Sequence, residues 1–224
     1  MKSIKSLYLL LGISFVTQAT TSLVGGLIGI GPFTETENMP AAMNSIAGNI
    51  NGVYVGVFLQ IITALVIIVL GAALYQAGSH VSKSVAIVAM SFYLVEAMLL
   101  IIDQIMIFSI AEISYQFINT DETALINIAK LLFVSKDFGS AISMIPFGFG
   151  AILFYCLIMK ARVIPKWLAV WGLITVPFVL VGSLLEALGV PVPFMLYIPY
   201  TPWEWVAGIY IFVKGLSNKS FSKT

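Results

Sequence analysis

Six apolar stretches follow one another along the chain, and each is long enough to form a helix that crosses a bilayer. Such a helix needs about 20 apolar residues, at a rise of about 1.5 Å per residue. The predicted spans cover about residues 7–30, 53–76, 84–110, 138–159, 167–188 and 194–213. The pattern predicts an all-α membrane protein, a bundle of six transmembrane helices that forms a single integral membrane domain over residues 1–224.

Two segments between the spans also carry helix signals. Pro40 can open a short helix within residues 38–51, because proline fits the first turn of a helix. Asn119 is followed three residues later by Glu122, a pattern typical of a helix N-cap, and precedes the apolar run 124–133. We therefore expect two short interfacial helices on the outer side of the membrane.

The distribution of charge predicts the orientation. Nine of the eleven Lys and Arg fall at four places along the chain, at residues 2–5, 83, 160–166 and 214–223. Short cytoplasmic loops of membrane proteins collect Lys and Arg, whereas the segments around residues 35–37 and 111–137 are mainly acidic. We therefore expect a multi-pass protein of the bacterial cytoplasmic (plasma) membrane, with both the N- and the C-terminus inside.

The N-terminal segment allows a second interpretation. Its basic start, the apolar run 7–16 and the small residues at 17–19 resemble a secretory signal peptide with a cleavage site. The apolar run continues to Ile30, which favours a retained span. Cleavage would leave five spans in the same orientation.

Composition narrows the function classes. Sixty per cent of the residues are apolar, 9 % are charged and the mean hydropathy is +1.04, whereas water-soluble domains carry about 25 % charge. A net charge of +1 gives no basic face for nucleic acid. One cysteine, one histidine and the absence of nucleotide-binding or nucleophile motifs predict no catalytic set, no metal and no cofactor. The expected partners are the lipid bilayer and an unidentified small solute or ion.

Two kinds of residue give packing and interface signals. Gly25 and Gly29, and likewise Gly52 and Gly56, have the spacing that lets helices approach closely. Among the aromatic residues near the predicted outer side, Tyr197 and Tyr200 suit an aromatic belt at the interface.

Polar side chains inside the predicted spans form the candidate site. An ionisable group at membrane depth costs a few kcal/mol on insertion scales and is often functional. No basic residue is expected at the depth of the acidic ones, and a desolvated carboxyl without a cation tends to be protonated. The structural alternative is that each acid is a protonated group hydrogen-bonded to a neighbouring helix. The candidates for a proton or cation site are Glu96, Glu204, Asp103, Gln18 and Gln60.

Spacing and prolines refine this site. Glu96 and Asp103 are seven residues apart, nearly two helical turns, and should share one face of the third span. Pro199 and Pro202 should kink the sixth span just before Glu204, because proline removes a backbone donor. In the alternative interpretation the helix begins only after Pro202.

The run Arg162-Val-Ile-Pro-Lys-Trp-Leu-Ala-Val-Trp-Gly172 resembles the signature of a bacterial integral membrane family that is catalogued only as a domain of unknown function. Glu96, Asp137, Glu204 and the run Val213-Lys-Gly215 are similar to further family positions in the same order. That family usually has an arginine three residues before the span-three glutamate, where this chain has Tyr93. The resemblance implies the six-helix fold and no particular activity.

Three functions fit these observations. The leading hypothesis is a small transporter or channel-like protein whose buried carboxylates link it to protons. The first alternative is a membrane interaction, sensor or immunity protein with structural buried acids. The second is an intramembrane enzyme acting on lipid, although the sequence favours a protein that is not an enzyme.

Overall fold

The computed structural model describes residues 2–29, 38–120 and 122–217, and this part of the chain is all-helical, without β-strands. The predicted outer loop around Glu35 and Glu37, Asp121 and the end of the basic tail lie outside the described residues. The helices are α1 (Lys2–Ile28), α2 (Met39–Gly48), α3 (Ile50–Gly78), α4 (Lys83–Thr120), α5 (Thr123–Lys160), α6 (Lys166–Ala187), a short 3₁₀ helix (Phe194–Leu196) and α7 (Trp203–Ser217).

Five of these helices, α1, α3, α4, α5 and α6, are long and apolar enough to cross a membrane. Their outer faces carry large apolar side chains such as Leu27, Phe58 and Ile105, each more than 60 % exposed. Exposed apolar surface of this extent marks contact with a membrane or a partner. These features indicate a multi-pass membrane protein. Helix α7 has only 15 residues, so the predicted sixth span stays a prediction.

Helices α4 and α5 are longer than the spans predicted for them. Asn119 does not cap a new helix: it lies within α4, where its Nδ2 donates to the Tyr115 carbonyl oxygen at 2.8 Å. The predicted short helix at 124–133 is the first part of α5, which follows Glu122. The extra turns bury apolar side chains against α2 and so form a second core. It contains Met39, Met43, Ile46, Val53, Ile107, Ile110, Ala111, Phe117, Ala129 and Phe133.

Helix α2 is the short helix that Pro40 was expected to open. Pro40 lies in its first turn, and the side chain of Asn38 caps it by accepting a hydrogen bond from the Ala41 amide at 3.3 Å. Its buried face belongs to the second core.

The predicted kink at Pro199 and Pro202 is wrong, and the alternative, a helix that begins after Pro202, is the one observed. Residues 197–202 form turns, and α7 begins at Trp203, directly after the second proline. Pro199 and Pro202 each lack the backbone donor that a continuous helix requires. The Trp203 amide donates to the Tyr200 carbonyl at 2.8 Å and so closes the last turn before the helix.

Helix packing places α1 between α3 and α7, and α4 between α3 and α5. Helix α6 lies against α5 and touches α7 only slightly. In the crossing of α1 and α3, a Cβ on Gly56 would lie 2.5 Å from the Gly29 Cα, so the predicted close approach is present there. Gly52, by contrast, faces Asn49 of its own chain segment. Leu11 and Phe15, which signal-peptide cleavage would remove, are fully buried in the main core.

The two ends of the bundle differ in charge. The Lys214 ammonium donates to the carbonyl oxygens of Arg162 and Val163, at 2.7 and 2.9 Å, and lies 5.3 Å from the centre of the Tyr8 ring. These contacts bring the start of α1, the α5–α6 link and the end of α7 together. We call this the basic end, and the opposite end, with α2 and the 3₁₀ helix, the distal end.

Candidate functional site

A cavity of about 490 Å³ occupies the distal half of the bundle. Its walls come from α1, α3, α4, α5, α6, α7 and the segment that carries the 3₁₀ helix. All five predicted site residues line it: Glu96, Glu204, Asp103, Gln18 and Gln60. The fold therefore collects into one space the polar side chains that the sequence distributes over four helices.

Glu204 lies in the first turn of α7 and is held by a chain of hydroxyls. The Tyr200 hydroxyl donates to Glu204 Oε1 at 2.7 Å and lies 2.8 Å from the Tyr155 hydroxyl. The Tyr93 hydroxyl adjoins that of Tyr155, and the Gln18 amide lies beside Glu204. One carboxylate oxygen of Glu204 is thus anchored, while the side chain remains half-buried at the cavity wall.

Glu96 projects from the middle of α4 into the same cavity and is only 4 % exposed. Its Oε2 has no hydrogen-bond partner among the described residues. The two glutamates are near enough for their charges to interact. Because buried polar atoms are nearly always hydrogen-bonded, this oxygen is open to a proton, a water molecule or a ligand from the cavity.

Asp103 lies two turns beyond Glu96 on the same face of α4, as the seven-residue spacing predicted. It is 7 % exposed and faces Gly139, whose Cβ position would be 3.5 Å from Asp103 Oδ1. The Gln104 amide donates to Asp103 Oδ2 at 3.4 Å, whereas Oδ1 has no partner among the described residues.

Lys136 is a basic residue that the sequence placed in an outer segment, away from the site. Because α5 begins at Thr123, Lys136 lies within a helix, lines the cavity and is only 13 % exposed. Its ammonium pairs with Asp137 at 2.8 Å and also acts on Asp103. Asp103 therefore has an ammonium group nearby in the cavity, which the sequence did not predict.

Gln60 closes the α1 side of the site. Its Nε2 donates to the Ser22 carbonyl at 3.3 Å, and its Oε1 has no partner among the described residues. A second link between these helices joins the hydroxyls of Thr21 and Thr63, which lie 2.6 Å apart.

An aromatic layer separates the cavity from the basic end. Trp203 is fully buried, its ring centre lies 4.1 Å from that of Tyr155, and its Nε1 donates to the Leu168 carbonyl at 2.7 Å. Gly172 leaves room for both rings, since a Cβ there would lie 2.8 Å from the Trp203 ring and 2.9 Å from Tyr155. The packing makes this layer the floor of the cavity.

Sequence reasoning missed the tyrosines of the site. Tyr200 was assigned to an interfacial belt, but it is 8 % exposed and bonded to Glu204. Its four-residue spacing to Glu204 was the available signal. Tyr93 had a similar signal, its three-residue spacing to Glu96 on α4, whereas Tyr155 had none because it approaches the site from α5. Among the described residues, no group of three or more His, Cys, Asp and Glu is arranged to hold a metal ion.

The chain belongs to the family described as Domain of unknown function (DUF4386), whose model matches residues 10–215. This match confirms the resemblance carried by the Arg162–Gly172 signature. No curated protein and no solved structure matches the chain.

Proposed function

We propose that this protein is a small transporter or channel-like protein of the bacterial cytoplasmic membrane, and that Glu96 and Glu204 link it to protons. The observation that carries the proposal is the unpartnered Glu96 Oε2, nine-tenths buried and facing a cavity shared with Glu204. Burying a carboxyl in a membrane protein is costly. A proton or a cation bound at this oxygen offsets that cost.

The two glutamates have unequal roles in this proposal. Glu204 is fixed by Tyr200, so its position is set before anything binds. Glu96 offers the free oxygen. Two nearby carboxyls that interact share protons as a pair, so binding of a solute between them changes the number of bound protons.

The proposal includes six crossings with both termini in the cytoplasm. Helix α7 spans about 22 Å at about 1.5 Å per residue, less than the hydrocarbon core of about 30 Å. The turns at residues 194–202 complete the crossing, and irregular backbone is tolerated at membrane depth where it lines a cavity. The basic end faces the cytoplasm in this arrangement, as short Lys- and Arg-rich links do.

The proposed orientation gives the cavity an outward-facing form. The aromatic floor of Tyr155 and Trp203 closes the route to the cytoplasm. Transport then requires these two rings, which lie on α5 and α7, to separate, and α7 touches α6 only slightly.

A flux assay tests this function without knowledge of the substrate. Purified protein is reconstituted into liposomes that contain a pH-sensitive dye, and candidate solutes and ions are screened with and without an imposed pH gradient. We expect protein-dependent flux that Glu96→Gln abolishes and that Glu122→Gln, an exposed acid outside the cavity, leaves unchanged. Equal flux through wild type and Glu96→Gln would contradict the proposal that Glu96 links transport to protons.

One observation favours the interaction role as a second candidate. Helices α4 and α5 have 38 residues each, about 57 Å, which exceeds the bilayer core by many turns. Leu131 and Val134 are both 67 % exposed on the part of α5 near the second core. A partner protein captured by this segment, together with no flux under any condition, would favour that role.

A further inference from the structure

The wall of the cavity is incomplete on one side. Helix α7 begins at Trp203, beside Glu204, so it fills the gap between α1 and α6 only from the carboxyls to the basic end. In the distal half, the turns 197–202 and the 3₁₀ helix take the place of a continuous α-helix. Among the described residues, α1 contacts α2 and α6 nowhere and packs only on α3 and α7.

Side chains on both edges of this gap line the cavity and are also exposed on the side of the bundle. Leu23 of α1 is 45 % exposed, and Phe194 of the 3₁₀ helix is 74 % exposed. Gly26 lies one turn from Leu23 and also lines the cavity, and a Cβ there would have one neighbour within 4 Å, the Gln60 Nε2 at 3.9 Å. The Trp205 indole donates to the Thr20 hydroxyl at 3.1 Å and closes the gap below. We call the gap bounded by these five residues the lateral opening.

The lateral opening faces lipid if the helices cross the membrane as proposed. Its edges are apolar, whereas the interior that it leads to is polar. Four carboxyl side chains line the cavity, those of Glu96, Asp103, Glu186 and Glu204, against the single ammonium of Lys136. That ammonium is already paired with Asp137. The excess of carboxyls favours a cationic ligand group.

Aromatic faces add to this preference. Phe147 and Tyr200, with ring centres 5.4 Å apart, line the cavity together with Trp205. Aromatic rings attract ammonium groups through their π faces. A volume of about 490 Å³ also lies within the range of about 300–1,000 Å³ that is typical of small-molecule pockets.

We propose that the cavity binds a cationic amphiphile that enters sideways from the lipid, with its ammonium head at Glu96 and Glu204 and its tail through the lateral opening. This inference rests on the proposed function, because it names the substrate class of the same cavity. A water-soluble cation that enters from the distal end would need no apolar opening, and it is the competing ligand.

Photo-crosslinking in lipid nanodiscs tests the proposal. The probe is a single-chain dodecyl amphiphile with a diazirine in its tail and a trimethylammonium head, and the comparison probe has a sulfate head. We expect the ammonium probe to label peptides containing Leu23 and Phe194, and the sulfate probe to label them about tenfold less, because a tenfold difference needs only one charge-assisted contact. Glu96→Gln should reduce labelling by the ammonium probe.

Variants with larger residues at position 26 provide a second part of the crosslinking experiment. Labelling should fall stepwise from wild type to Gly26→Ala to Gly26→Phe, because the larger side chains fill the lateral opening. Gly48→Phe is the matched control, since Gly48 is exposed on α2 with nothing within 4 Å of its Cβ position. Each variant must elute from size exclusion as the wild type does, and Gly26→Ala keeps the test informative if Gly26→Phe does not fold.

The outcomes separate this inference from the proposed function. Equal labelling by both probes, or labelling unaffected at position 26, would overturn the amphiphile proposal even where flux depends on Glu96. Head-specific labelling that Gly26→Phe removes would support it even where no flux occurs, and the transport proposal alone would then fail. Saturable protection of Glu96 from a carbodiimide by tetramethylammonium, without labelling by the ammonium probe, would assign the site to a water-soluble cation.

Discussion

Glu96 and Glu204 carry the same chemical group in the same cavity, yet their surroundings differ. Tyr200 donates to one oxygen of Glu204, whereas Glu96 Oε2 has no partner among the described residues. A ligand does not easily displace a hydrogen-bonded carboxyl, because its former partner would lose a hydrogen bond and the loss costs free energy. The free oxygen of Glu96 is therefore where a proton or ligand changes the energy of the site most.

Two substitutions of Glu96 show whether folding depends on the shape of this side chain or on its charge. Glu96→Gln should insert and fold like the wild type, because neutral glutamine resembles a protonated glutamate. Glu96→Lys should reduce the amount of folded protein, because a lysine at the centre of a span costs about 2.5–3.5 kcal/mol on insertion scales. Fluorescence-detected size exclusion of membrane extracts measures both. Normal folding of Glu96→Lys would show that the side chain reaches water.

The tyrosine chain makes a different prediction. Tyr200→Phe removes the hydroxyl that joins Tyr155 to Glu204 and leaves a buried carboxylate oxygen unpaired. Leaving a buried polar group without its partner costs about 1–3 kcal/mol, so the thermal midpoint of unfolding should fall by several degrees. Tyr210→Phe is the control, because Tyr210 is 37 % exposed. Equal midpoints for the two variants would contradict the anchoring role of Tyr200.

At the scale of helices, the apolar runs in the sequence predict the positions of most of the long helices. Helices α1, α3 and α6 follow their predicted spans closely, because apolar runs determine them. The pattern misses the last turns of α4, and it misses that the helix predicted at 124–133 continues into the fourth span as α5. Those turns stay helical because Phe117 and Phe133 bury themselves against Met43 of α2, a tertiary contact that no local spacing reveals.

The site was predictable to the extent that it lies on one helix. The shared face of Glu96 and Asp103 follows from the pitch of a helix alone. Tyr155 and Lys136 join the site only because α5 pairs with α4 along its length. The lateral opening depends on α7 beginning after Pro202, which the sequence offered only as the alternative to a kinked helix.

The crossing of α1 and α3 gives a prediction at this scale. A Cβ on Gly56 would lie 2.5 Å from the Gly29 Cα, so Gly56→Ala must push the helices apart and should lower the thermal midpoint. Gly26→Ala on α1 of the same pair should raise it slightly, because its Cβ would meet nothing closer than 3.9 Å and alanine favours a helix over glycine by about 1 kcal/mol. Thermal unfolding in one detergent compares them. A harmless Gly56→Ala would mean that the helices are less closely packed.

At the scale of the whole molecule, the basic links gather at one end of the bundle. Lys160, Arg162 and Lys166 lie in or beside the α5–α6 link, and Lys214 bonds to that link from α7. The chain thus brings together at one end the positive charges that the sequence spreads over its length. Positive charge on one side orients a helical membrane protein, so this grouping supports the orientation that we propose.

Cysteine labelling in whole cells tests that orientation. In a Cys156→Ala background, single cysteines replace Glu122 and Val190 near the distal end, and Ser84 and Ser217 near the basic end, and all four positions are exposed. We expect an impermeant maleimide to label the first two in intact cells and the second two only after permeabilisation, because positive links remain in the cytoplasm. Labelling of the cysteine at position 84 but not of that at position 122 in intact cells would show that the protein has the opposite orientation. The cavity would then open toward the cytoplasm, and the direction of the proposed transport cycle would have to be reversed.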